Sequence, residues 1–138
     1  MRTLILAVLV GMMMQTGTPA LRTLDKGDQS NMDDAKQAVA RTAAEYTALW
    51  TQHSPDRPRP AVDFSKDMIV GVFLGSRPTA GWVLEIVSAA PDGDAFVVRY
   101  RELAPPSGGV TAQVLTSYYH LVAVPKTAAT VRFEKVKS

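Results

Sequence analysis

The sequence predicts a mainly β protein of the α+β class: an antiparallel β-sandwich or open barrel with one helix packed against it. Three observations carry this expectation. From Val62 onward, apolar residues come in alternating positions or short continuous runs, the signature of strands. Clusters of Pro, Gly and Asp separate those runs at short intervals, which favours tight antiparallel connections. Tyr46, Leu49 and Trp50 lie three and four apart and would form one apolar helical stripe.

The chain opens with Met1-Arg2, an apolar run from Leu4 to Met14, and then the small and polar residues T-G-T-P-A. That order predicts a secretory signal over residues 1–20, cut after Ala20. The run is shorter than the roughly 20 apolar residues of a membrane span, so export to a periplasmic or extracellular space is expected. Cleavage would leave 118 residues, enough for one core. Only Arg2 among the charged residues would be lost, leaving 14 basic side chains against 13 acidic ones. With no Lys/Arg cluster to track phosphates, nucleic acid is not an expected partner. The chain has no cysteine, so apolar burial and backbone pairing must hold the fold without disulfides.

Residues 21–61 read as an N-terminal segment. Leu21 to Met32 is polar and mixed, compatible with a short edge strand or partial disorder, and Lys36 to Arg41 suits strand or helix. Thr42-Ala43-Ala44-Glu45 has capping-box spacing, which predicts a helix over about 43–52; a start near Met32 is the alternative. Prolines 55, 58 and 60 end it in a stiff surface connector. A β domain over 62–136 follows. Met68 to Leu74 is almost continuously apolar, as in a strand buried on both faces. Trp82, Leu84 and Ile86 alternate with Val83, Glu85 and Val87; Phe96, Val98 and Tyr100 alternate with Val97, Arg99 and Arg101. Pro91-Asp92-Gly93-Asp94 between them is hairpin chemistry. Val114 to Val124 suits one bent strand, and Val131 and Phe133 mark a last short one.

Two loops stand out. Gly75 to Trp82 (G-S-R-P-T-A-G-W) has glycines that permit sharp turns, with Pro78 stiffening the crest and Thr79 able to bond a neighbouring amide. A stiff loop loses little entropy on binding. Ala104 to Gly109 (A-P-P-S-G-G) joins a rigid arm to a flexible elbow. It is followed by a strand and lacks Gly-Lys-Ser/Thr, so it does not read as a phosphate cradle.

These loops, the strands V-D-F-S-K-D-M-I-V-G-V-F-L and Q-V-L-T-S-Y-Y-H-L-V-A-V-P-K, and the final V-R-F together resemble the C-terminal domain of the protease-complex subunit PrcB family. The blocks match in order from Val62 to Phe133, and A-A-E-Y-T-A-L-W resembles the segment before them. Trp82 stands where that family usually has Tyr, and Thr116-Ser117-Tyr118-Tyr119 where it has Thr-x-Pro-Tyr. The resemblance implies a non-enzymatic accessory protein that stabilises a protease complex; the family has no catalytic residues to carry over. On this reading the binding residues are Arg77, Pro78, Thr79, Gly81, Trp82, Pro105, Pro106, Gly108, Gly109, Tyr118 and Tyr119, with no metal and no cofactor.

Two other readings compete. R-P-T-A-G-W and P-S-G-G are similar to the loops of chagasin-like cysteine-protease inhibitors, although Arg77 replaces that family's Asn and its third loop, Arg-Pro-aromatic, is absent. Trp82, Tyr118 and Tyr119 could instead stack on a small molecule or glycan. Of the two histidines, His53 is expected to cap the helix C-terminus or to have no role. His120, on one strand face with Tyr118 and Val122, is expected to be hydrogen-bonded beside a sheet. Asp63 and Asp67 are expected to be solvated or capping.

Overall fold

The computed structural model describes residues 21–137; the expected export segment, 1–20, lies outside the described residues. The elements run β1 (Arg22–Gly27), β2 (Lys36–Ala40), α1 (Ala43–His53), β3 (Asp67–Arg77), β4 (Val83–Asp92), β5 (Ala95–Leu103), β6 (Thr116–Pro125) and β7 (Thr130–Val136). The strands form two sheets, ordered β1-β6-β3-β2 and β4-β5-β7. Neither closes into a barrel. The N-terminal segment is not a separate unit, because β1 and β2 form the two edges of the sheet built on β3 and β6.

The continuous apolar run of β3 has the predicted cause. Met68, Val70, Val72 and Leu74 face the second sheet, where they meet Leu84, Ile86, Phe96 and Val98. Ile69 and Phe73 face the other way, against Tyr46, Leu49 and Trp50 of α1. The molecule is therefore three layers, sheet–sheet–helix, with the four-stranded sheet in the middle. Burying each large side chain of the helix stripe contributes about 2 kcal/mol relative to exposure.

The helix begins where the capping box places it. Glu45 N–H donates to the Thr42 hydroxyl at 3.1 Å, and the Glu45 carboxylate accepts from Arg41 N–H at 2.7 Å. The start near Met32 is excluded, since Lys36–Ala40 is a strand paired with β3. Asp63 accepts from the Ser65 amide and hydroxyl, a local turn before β3.

Three strand expectations need correction. The first sheet is antiparallel throughout, but β7 pairs with β5 in parallel, so the second sheet is mixed. The last long strand begins at Thr116, leaving Val114 and Leu115 outside it and exposed. Val97, expected on the wet side of β5, is fully buried; ion pairing on that face begins at Arg99, which meets Asp92 and Glu134. Between Ile86 and Ser88 a bulge shifts the register with β5, so Val87 points to solvent and Ala89 returns to the core.

Candidate protein-binding surface

The two unusual loops meet at one end of the sandwich. Ala80 N–H donates to Ala112 O at 3.0 Å, and the Thr116 hydroxyl donates to Thr79 O at 2.8 Å. Gly81 N–H donates to the Tyr118 hydroxyl at 3.1 Å, which ties the first loop to β6. Gly81 has φ +93°, and a Cβ there would lie 3.0 Å from Thr111 and 3.2 Å from Pro105. Only glycine lets the loops close on each other. The result is a crest with Pro78, Gly81, Pro106, Gly108 and Gly109 exposed and Thr79 and Pro105 half-buried as its buttresses.

Sequence reasoning missed part of this surface. Val110, Val114 and Leu115 are exposed. No charged side chain occurs from Pro78 to Leu84 or from Leu103 to Tyr119, and that compositional gap was the available signal. Charges crowd the outward face of the second sheet instead, where Arg99 pairs with Glu134 at 3.2 Å and Arg101 with Glu85 at 2.6 Å.

One expected loop boundary and several expected site residues have other surroundings. Gly75 lies within β3 rather than in the loop. It follows a bulge and has φ +83°, and a Cβ there would come 2.8 Å from Ala35 N. Arg77 is half-buried, with its guanidinium 4.9 Å from the centre of the Trp82 ring, so these two side chains engage each other. Trp82 is half-buried against the sandwich core. Tyr118 is half-buried on that same side, beneath the crest. Tyr119 must be withdrawn from the site. Strand alternation turns it to the opposite face, where it is 5% exposed in the cluster under α1. Trp82, Tyr118 and Tyr119 therefore do not form one stacking surface.

His120 behaves as expected. Ile86 N–H donates to its Nδ1 at 2.9 Å, which leaves the proton on Nε2 to be donated to the Thr23 hydroxyl at 2.8 Å. The ring thus pins β4 to β6 and β1. Burial, reinforced by Lys26, pushes its pKa down to about 4, against the opposing pull of Glu85.

His53 does not behave as expected. It is wholly buried, edge-on to Trp50, Phe73 and Tyr119, and is not a solvent-facing cap. Its Nε2–H donates to Asp25 at 2.8 Å, and Nδ1 accepts from the Ser30 hydroxyl at 2.8 Å. Arg57 and the Tyr119 hydroxyl, the latter at 3.0 Å, also donate to Asp25. Burial raises the Asp25 pKa, yet the bonds from Arg57, His53 and Tyr119 outweigh it and hold the carboxylate below its usual range. At His53 burial wins over Asp25, and the pKa falls.

Serine, histidine and aspartate in line resemble a nucleophilic triad, but the amides that would stabilise an oxyanion are committed elsewhere. Ser30 N–H donates to Ser117 O, Asn31 N–H to His53 O, and Met32 N–H to the Ser30 hydroxyl itself. The arrangement clamps β1, the segment after it, the end of α1 and β6 together. Nothing in sequence joins residues 25, 30, 53, 57 and 119, so sequence reasoning could not find it. Among the described residues no cluster of three or more His, Cys, Asp or Glu side chains is arranged to hold a metal ion.

A two-sheet β-sandwich module with an uncharged double-loop crest at one end is the class these features define. Residues 68–125, from the second residue of β3 to the last of β6, match the family described as PrcB C-terminal. It contains both crest loops and His120, but not the Asp25–His53–Arg57 part of the clamp. No curated protein and no solved structure matches the chain.

Proposed function

We propose that the protein is an exported, non-enzymatic accessory module whose crest holds a partner protein, a protease of the complex to which PrcB-type subunits belong. The observation that carries this reading is the crest itself. Two loops braced by backbone and hydroxyl bonds present exposed Pro78, Pro106, Val110 and Leu115 with no charge among them. Interface cores are depleted in charge, and a braced surface loses little freedom on docking. The family match over 68–125 supports the accessory role, since it covers the crest.

The test is affinity purification from the native envelope, comparing wild type with a Val110→Asp/Leu115→Asp double variant. A protease should enrich with wild type and be lost, tenfold or more, with the variant. Equal enrichment from both would remove the crest from the interface. No protease enriching with either would end the accessory reading.

The chagasin-like inhibitor reading keeps one observation in its favour: Gly81 of the first loop lies against Pro105 of the second, and Ala80 bonds Ala112 in the segment that continues from it. Titration of papain separates the two. Unchanged papain activity at high molar excess is the expected result, and stoichiometric inhibition would reverse the ranking.

A further inference from the structure

Beside the crest, the free edges of β1 and β4 flank a slot of about 420 Å³ lined by Gly27, Trp82, Val83, Leu84 and Tyr118. Val83 is exposed and Tyr118 and Trp82 are half-buried, so the lining is apolar and open to solvent. Its rim carries Lys26 and Asp28, which are of opposite sign, and Lys26 already pairs with Glu85 at 3.5 Å. An ion gains nothing by entering such a slot.

The backbone adds a second feature. Ile86 N–H points away from β5, since it donates to His120. The β4–β5 register is regular from Val83 to Ile86, so the two-residue period turns the Leu84 N–H and C=O the same way, toward the slot. An edge backbone beside an apolar pocket is the recognition unit of strand addition, in which backbone pairing supplies affinity and the pocket supplies side-chain choice.

We propose that this slot receives an extended, uncharged segment of the partner, laid along the β4 edge, with one bulky apolar side chain seated among Trp82, Leu84 and Tyr118. This rests on the crest being the docking end, and it names what the neighbouring edge reads.

The probe is the blocked peptide acetyl-Thr-Val-Leu-Val-Thr-amide, titrated into the 15N-labelled protein. Saturable shifts are expected at the Val83–Glu85 amides and the Trp82 indole. Methylating every peptide nitrogen, which keeps the side chains but removes pairing, should weaken binding at least tenfold; so should Asp in place of the central Leu. Shifts confined to the crest loops, no shifts at all, or an N-methylated peptide that binds equally would overturn the slot. The two readings fail separately. Loss of partner capture in the Val110→Asp/Leu115→Asp variant with no β4 response sinks only the slot, while a β4 response with capture undiminished in that variant sinks only the crest.

Discussion

From Leu103 to Tyr119 the chain carries no charged side chain and turns Val110, Val114 and Leu115 outward, whereas beneath α1 an arginine, a histidine and a tyrosine are drawn onto the carboxylate of Asp25. The usual distribution is reversed in these two places. Apolar side chains at the surface and ionised groups next to the core both cost stability. At the clamp the cost is met locally, because Asp25 accepts from three donors and each donor has a fixed place. At the crest it is not met within the described chain. That difference teaches which region holds the fold together and which one waits for a partner.

The largest expected effect lies at the clamp. Asp25→Ala leaves His53, Arg57 and Tyr119 without their common acceptor; His53 is wholly buried but the Arg57 side chain is half exposed, so the loss should be about 2–3 kcal/mol, at or below the low end for a fully buried pair. Urea denaturation at pH 7 measures it. A loss below about 1 kcal/mol would mean that the clamp is incidental and that the apolar layers alone fix α1 and β1.

Acid should weaken the scaffold next. His120 is held neutral with its pKa near 4, against an ordinary 6.5, so the unfolded chain binds the extra proton between those values. Stability from this group is complete above pH 6.5 and declines as pH falls toward 4, by about 2 kcal/mol at pH 5. His53, also lowered from 6.5, adds a loss of the same sign in this range, whereas the stability Asp25 contributes is lost only as pH falls below its ordinary 3.8. Unfolding midpoints from pH 7 to 4.5 test this, with His120→Gln expected to flatten the slope. An unchanged slope in that variant would place the acid sensitivity elsewhere.

At the crest, the backbone position where a left-handed φ and crowding coincide is Gly81. Gly81→Ala puts a Cβ into a left-handed conformation 3.0 Å from Thr111, for a loss of about 1–2 kcal/mol. The diagnostic result is regional. Amide exchange should rise at Ala80 and Gly81 but not at Ser30 or Asn31, whose bonds to Ser117 and His53 belong to the clamp. Protection falling equally in both regions would show that crest and clamp are one cooperative unit.

How much of this was legible follows the range of each interaction. The two-sided burial of β3 was written in seven consecutive residues, and the helix start in four, because both are local patterns. The hairpin between β4 and β5 was legible in Asp92-Gly93-Asp94 for the same reason. The parallel pairing of β5 with β7 was not, since neither strand's composition names its neighbour. Tyr119 is a different kind of miss: adjacent strand residues face opposite ways, so Tyr118 and Tyr119 could have been separated from period alone. The clamp was beyond reach. Asp25 and Tyr119 are 94 positions apart, and His53 looked like an ordinary helix terminus until the sheet closed over it.

The smallest expected effect on stability is also the sharpest test of the comparison. Val110 is fully exposed and Leu115 largely so, and neither belongs to a core cluster. Val110→Asp/Leu115→Asp should therefore change the unfolding free energy by less than about 0.5 kcal/mol, as surface substitutions away from caps and strained backbone do. If these side chains supported the fold, the variant would lose stability and partner together, and the crest would be scaffold after all. If they face a partner, capture is lost while the urea midpoint stays where it was. The Asp25→Ala protein supplies the opposite pairing in the same assay. In mild conditions where it remains folded, it should still capture the partner, because its damage lies on the far face of the central sheet.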